Sequence, residues 1–198
     1  MELQFNRFYF ISDSFFHKVQ DPYLKQNHET TKRPHYYAFQ DEETSLYWMI
    51  PCSSQVEKYQ RIIEKKEMRH QKTDAIQIVK IQEKKSALLF QDMFPCSRQY
   101  IEGMYIRRKV PLSIGDPNIV QHMERIARQI VVKLRMGVRF TPTQPDIKRI
   151  ENMLLLDIQK ETKSKAIDLH EKLSLAQERA DTHNQNVHKE YRSANKSR

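Results

Sequence analysis

Two short runs concentrate the residue types that can do chemistry. The first is Lys32-Arg33-Pro34-His35-Tyr36-Tyr37; the second is Pro51-Cys52-Ser53-Ser54, with Lys58 just beyond it. Histidine exchanges protons near neutral pH, which suits His35 to acid–base work. Ser53 and Ser54 are hydroxyl donors, and Lys32, Arg33 and Lys58 are cations that can neutralise a phosphate. Together these are parts for metal-free RNA cleavage. A base helps the ribose 2′-hydroxyl attack the neighbouring phosphorus, donors and cations hold the phosphorane, and an acid protonates the leaving 5′-oxygen. The products would be a 2′,3′-cyclic phosphate and a 5′-hydroxyl. Each residue also has a plainer role. Ser54 can serve as a helix N-cap, Ser53 and Cys52 as a strand end, and His35 as a strand-surface residue. Lys58 can be a solvated helix charge, and Tyr36 and Tyr59 can belong to the core.

Composition narrows the classes. The 198 residues carry 34 Lys+Arg against 25 Asp+Glu, a net charge of +9 that points to a polyanionic partner. With 38% hydrophobic and 10% aromatic residues the chain can build a core. Only Gly103, Gly115 and Gly137 are glycines, so neither a dinucleotide-binding loop nor a P-loop can be assembled. A GxSxG elbow is missing, which weighs against a Ser-His-Asp hydrolase. Carboxylates at metal-binding spacing are also missing, so neither a metal nor another cofactor is expected. Cys52 and Cys96 stand 44 residues apart with no CxxC, and they read as reduced thiols of a cytoplasmic protein. Glu2, Arg7 and Asp13 interrupt the first residues, so no signal peptide is expected there, nor any membrane association.

The elements that must position these residues follow from patterning. Arg7–Ser12 reads as a strand, and Asp13 or Ser14 opens a short helix through Lys18. Lys25 to Arg33 reads as a loop. His35–Asp41 and Ser45–Ile50 read as a hairpin ending at Pro51, with Tyr36 and Tyr37 divided between core and surface by alternation. Such a hairpin would bring His35, the two serines and Lys58 into one neighbourhood. Ser54-Gln55-Val56-Glu57 matches a capping box, followed by Val56, Tyr59, Ile62 and Ile63 on one helix face. That helix N-terminus would offer N–H groups to a phosphate. Strands are expected at Ala75–Ile81 and Ser86–Met93, and Gln99–Leu112 is weakly extended. Asp116-Pro117 opens a helix through Met136 with Gly137 as its C′ residue, and a second helix runs from Pro145 to about Thr162. Residues 1–162 form the expected domain. Residues 163–198, with few apolar side chains, form a basic tail, helical and fading to disorder. Met49-Ile50-Pro51-Cys52-Ser53 is echoed by Met93-Phe94-Pro95-Cys96-Ser97, which makes Ser97 a decoy for Ser53.

Arg7-Phe8-Tyr9-Phe10-Ile11-Ser12, Arg33-Pro34-His35-Tyr36-Tyr37-Ala38-Phe39 and Trp48-Met49-Ile50-Pro51-Cys52-Ser53-Ser54, in that order, resemble the ToxN/AbiQ family. Ala87–Pro95 and the helix ending near Gly137 follow in family order. These are the protein toxins of type III toxin–antitoxin systems. The resemblance implies an α+β fold, a compact, highly twisted antiparallel β-sheet with a Kid/MazF-like barrel core and flanking helices. It also implies a metal-independent endoribonuclease cutting adenine-rich RNA, active in phage defence by abortive infection. By position, Ser54 falls on the family's essential serine and Ser53 on the hydroxyl residue before it. His35 stands where a family lysine follows the proline, Thr31 where some members have a tyrosine, and Lys58 is the nearest match to a lysine that Val56 displaces. The implied partners are a small pseudoknot RNA antitoxin, cut from a repeat precursor and closed with the toxin into a ring, and cellular and phage RNA substrates. The RNA grip is expected from Lys32, Arg33, Lys58, Arg61, Lys65 and Lys66, then Lys80, Lys84 and Lys85, with Tyr36 and Tyr59 stacking bases. Two rival readings stand beside it: a non-catalytic RNA- or DNA-binding regulator, and a MazF-like toxin held by a protein antitoxin.

Overall fold

The computed structural model describes residues 3–28 and 30–196, with side chains in the last helix described through 177 and at 179. The fold is α+β. Nine strands and four helices are described, in the order β1 (Phe8–Ile11), α1 (Asp13–Val19), β2 (Pro34–Gln40), β3 (Tyr47–Ser53), α2 (Val56–Glu67), β4 (Ile76–Ile81), β5 (Lys84–Leu89), β6 (Phe94–Cys96), β7 (Ile101–Met104), β8 (Ile106–Arg107), β9 (Val110–Pro111), α3 (Pro117–Arg135) and α4 (Ile147–Lys196). Seven strands form one antiparallel sheet, ordered β4-β5-β3-β2-β1-β7, with β6 also paired to β3; β8 and β9 form a separate hairpin.

β3 organises this sheet by changing partners along its length. Tyr47–Met49 pairs with β6 on one side, whereas Cys52 and Ser53 pair with Leu88 and Ala87 of β5. Ile50-Pro51 falls between the two ladders, so the missing Pro51 N–H lies where that side of β3 has no partner. β3 therefore runs through Pro51 to Ser53 instead of ending before it. Irregularities at Tyr37/Phe39 and Tyr9/Ile11 add local bends to β2 and β1. The echoed motif is explained by pairing: its second copy, in β6, lies antiparallel to the first, with Met49 opposite Phe94.

β2 is covered on both faces, so alternation sends neither tyrosine to the surface: Tyr36 and Tyr37 are both buried. α3 lies against β2, where the Arg128 guanidinium sits 4.3 Å from the Phe39 ring centre. Tyr59, Ile62 and Ile63 of α2 pack on Ile76, Ile78, Ala87 and Leu89 of β4 and β5. Burial of Tyr59 contributes about 1.5–3 kcal/mol and the partly buried Ile62 and Ile63 add less, which helps hold a twelve-residue helix that is marginal alone. α3 starts as its sequence implies, with the Asp116 carboxylate accepting from Asn118 N–H and Pro117 following, and Gly137 adopts φ +85° beyond its end. At that end Arg135 holds the Asp41 carboxylate (2.8 Å) and that of Glu151, and its guanidinium lies over Trp48. Asp41 in turn accepts from Glu43 and Thr44 N–H, so one arginine ties the β2–β3 turn to α3 and the start of α4.

Three further expectations change. Strand β5 stops at Leu89, because Phe90–Asp92 form a tight 3-10 turn whose Gln91 N–H bonds Ala75 C=O. α2 has Gln55, not Ser54, as N-cap, since the Ser53 hydroxyl accepts from Gln55 N–H (3.2 Å) and Val56 N–H bonds the Ser54 carbonyl. The capping box therefore does not form, and Glu57 falls one place earlier in the first turn than the pattern requires. Finally, α4 continues as helix through Lys196, past the composition change at Lys163. Residues 197 and 198, the end of the expected disordered tail, lie outside those described. The chain divides into two compact units, Met1–Leu154 and Leu155–Arg198. Among the described residues no helix is long and apolar enough to cross a membrane.

Candidate nucleic-acid cleft and active site

A cleft of about 620 Å³ opens in the first unit, a volume within the usual range of ligand sites. Four segments wall it. The loop before β2 supplies Lys25, His28, Thr31, Lys32 and Arg33; the end of β3 and start of α2 supply Cys52 to Gln55, Lys58 and Tyr59. The β4–β5 hairpin adds Lys84, Lys85 and Ser86, and Tyr105, Arg107 and Leu112 come from β8–β9 and its root. Seven of these residues are Lys or Arg and, among the described lining residues, none is Asp or Glu. A concave wall of one charge sign focuses its field on an anionic ligand.

The loop is anchored at several points. Asn27 donates to Ile11 C=O and the Asp13 carboxylate while its own Oδ1 accepts from Arg33 N–H. Two backbone bonds between His28 and Thr31 close its tip. Arg33 reaches across the cleft, donating to Cys52 C=O (2.7 Å) and Gln26 C=O (3.3 Å), with Nη2 3.4 Å from His28 Nε2. A guanidinium only donates, so in this contact the ring nitrogen is the acceptor. Lys25 pairs with the buried Asp92 (3.8 Å) and Lys32 with Glu102. Lys58, Lys84, Lys85 and Arg107 have no carboxylate partner among the described residues, which leaves four charges for a ligand besides Arg33.

The serines differ. Ser53 is buried and its hydroxyl is occupied by Gln55 N–H. Ser54 is exposed at the cleft, and because α2 is capped elsewhere, its hydroxyl is not spent on the helix. Lys58 extends beside it, its ammonium 5.6 Å from the Tyr59 ring centre. Burial, with the Asp92 charge, pushes the Tyr59 phenol up, against a Ser53 hydrogen bond and Arg33. Burial likewise pushes the Cys52 thiol well up despite Arg33, so it is not a thiolate nucleophile.

The cleft thus collects Lys32, Arg33, Ser53, Ser54, Lys58, Tyr59, Lys84 and Lys85. Six expected site residues lie elsewhere, two of them in the core. His35 is fully buried between the Phe16 and Phe94 rings, and neither ring nitrogen makes a hydrogen bond. Burial first, then the Arg33 charge, pushes its imidazole down to about 3, against the backbone of Arg33 and Lys25. It is a neutral core residue. Tyr36 is also core, edge-on to Phe8 at 5.2 Å. Ser97, the decoy, is buried outside the cleft. Arg61, Lys65 and Lys66 lie farther along α2 and do not line the cleft; Lys80 pairs across the ladder with Lys85 and so extends the basic face. Lys25, His28, Tyr105 and Arg107 were not singled out from sequence. A histidine and a lysine inside the basic loop Lys25–Arg33, and the run Arg107-Arg108-Lys109, were the available signals.

Comparison with solved structures shows a clear likeness. AbiQ, a lactococcal anti-phage endoribonuclease of the type III toxin–antitoxin system, matches with a TM-score of 0.58, covering 77% of this chain and 98% of AbiQ. The chain has the AbiQ fold. At 13% identity the likeness to AbiQ is one of fold. Because AbiQ is covered almost end to end, roughly a quarter of this chain has no counterpart in it. No protein-family model matches the sequence, and no curated protein matches it.

Proposed function

We propose that this protein is a metal-independent endoribonuclease toxin held in check by an RNA antitoxin. The observation that carries the reading is the cleft itself: an exposed Ser54 hydroxyl and a histidine inside a wall of seven cations, on the AbiQ fold. RNA is the fitting anion, because its 2′-hydroxyl supplies the nucleophile and the cleft need supply only proton transfer and charge stabilisation. In the step, the 2′-oxygen bonds to phosphorus and gives its proton to a base. The P–O5′ bond then breaks and the 5′-oxygen takes a proton, leaving a 2′,3′-cyclic phosphate and a 5′-hydroxyl. Ser54 and Lys58 donate to the phosphorane oxygens, and Arg33, Lys84 and Lys85 hold the flanking phosphates. His28 takes the acid–base role that burial denies His35. Described lining residues include no carboxylate to hold a divalent ion, which favours chemistry without one.

Adenine-rich cleavage sites, a repeat-derived pseudoknot RNA that the toxin processes and that inhibits it, a closed toxin–RNA assembly and a role in phage defence complete the proposal. They follow from the sequence resemblance and from what AbiQ is. The test is incubation of purified protein with adenine-rich RNA in excess EDTA, with end-group analysis of the products. Cleavage to cyclic-phosphate and 5′-hydroxyl ends supports the reading. RNA bound but left intact would point to the non-catalytic binder, and cleavage only with added metal would refute the mechanism.

A further inference from the structure

We infer that the β8–β9 hairpin is an RNA-binding arm that grips the strand just outside the cleft, an inference that rests on the cleft being an RNA site. Three consecutive cations occupy its turn: Arg107 on the cleft wall, then Arg108 and Lys109 at the exposed tip. With Arg107 opposite Val110, the loop has two residues, and Arg108 and Lys109 take φ +50° and +63°. This is the sign pattern of a type I′ turn, for which Asn-Gly is preferred because side chains resist positive φ. The chain uses other non-glycine residues at positive φ, but among those described only Arg108 and Lys109 do so consecutively. Two long cations thus stand where folding alone would favour small residues. None of the three has a carboxylate partner among the described residues.

The arm is fixed at its base. Tyr105 N–H donates to Phe8 C=O (2.7 Å), Leu112 N–H to Tyr105 C=O (3.0 Å), and Ile114 bridges to Ile81 at the end of β4. The tip therefore begins one strand step, about 3.3 Å, past a cleft-lining residue. A strand of RNA leaving the cleft beside Arg107 meets Arg108 and Lys109 with its next phosphates. Contacts of this kind position the strand without reading its sequence.

The test replaces the tip by its favoured turn, Arg108→Asn with Lys109→Gly, which removes both charges while relieving the backbone. Binding of a single-stranded RNA long enough to leave the cleft is measured across a salt series, beside a dinucleotide confined to it. The arm predicts weaker binding of the long RNA and a log K against log salt slope shallower by about 1.4, for two lost single-strand phosphate contacts. Dinucleotide binding should stay as in wild type and Tm should rise. Unchanged long-RNA affinity and slope, with wild-type cleavage intact, would overturn the arm alone. A wild-type protein that binds neither RNA would overturn the cleft reading and the arm with it.

Discussion

His35→Phe separates a core role from a catalytic one. In the native protein the ring is sealed between Phe16 and Phe94, with its pKa pushed from 6.5 to about 3 by burial and by Arg33. The unfolded chain binds a proton at this residue below about pH 6.5 while the folded chain does not until near 3. Stability from the neutral ring is therefore full above the unfolded value and falls as pH drops toward the folded one. Between about pH 7.5 and pH 5 that loss is about 2 kcal/mol, at roughly 1.4 kcal/mol per unit below 6.5. Phenylalanine cannot titrate and has no nitrogens to leave unpaired, so the variant should match or exceed wild-type stability at neutral pH. Urea unfolding of both proteins at the two pH values measures the difference. Wild type should lose about 2 kcal/mol more than His35→Phe on acidification, other titrations being common to both. RNA cleavage by the variant should stay within a few-fold of wild type. A folded variant that binds RNA but does not cut it, or equal acid sensitivity in both proteins, would refute the placement of His35 in the core.

His28→Gln should lower the cleavage rate by roughly 10²–10⁴-fold with RNA affinity nearly kept, read from single-turnover kinetics. Full activity would remove His28 from the mechanism. Lys84→Ala with Lys85→Ala should weaken RNA binding and make its salt slope shallower by about 1.4, measured by titration at several salt concentrations. Asp41→Asn should cost about 2 kcal/mol at neutral pH by losing the charge-assisted bond to Arg135. Burial pushes the Asp41 carboxyl up, but Thr44 N–H and Arg135 outweigh it and hold it below its usual value. That stability is present above the unfolded carboxylate range and is lost as pH falls through the lower folded value. The gap between Asp41→Asn and wild type should accordingly close in acid, as followed by unfolding curves.

Much of the scaffold was legible because local chemistry and tertiary packing agree. Asp116-Pro117 and Gly137 frame α3 by capping, and Tyr59, Ile62 and Ile63 mark the side of α2 that packs on the sheet. The basic cleft was partly legible in Lys32, Arg33, Ser54, Lys58, Lys84 and Lys85, which three separate segments bring together. His35 misleads because alternation assumes one solvated face, whereas β2 is covered on both. His28, in a loop with no periodicity, becomes a site residue only through Asn27 and Arg33, which fold that loop over the end of β3. The β8–β9 hairpin was missed because Arg108-Lys109 lacks the glycine or asparagine that announces such a turn. The apolar run Ala87–Phe90 reads as one continuous strand and likewise hides the 3-10 turn at Phe90–Asp92 that ends β5.

The central claim, an endoribonuclease built around Ser54, is tested most directly by expressing wild type and Ser54→Ala under tight control and mapping cellular RNA ends. Equal soluble expression is checked first. The account predicts growth arrest and new 5′-hydroxyl ends at a shared short motif in wild type, both absent from Ser54→Ala, whose purified protein still binds RNA. Identical RNA ends and equal growth in the two strains would contradict it.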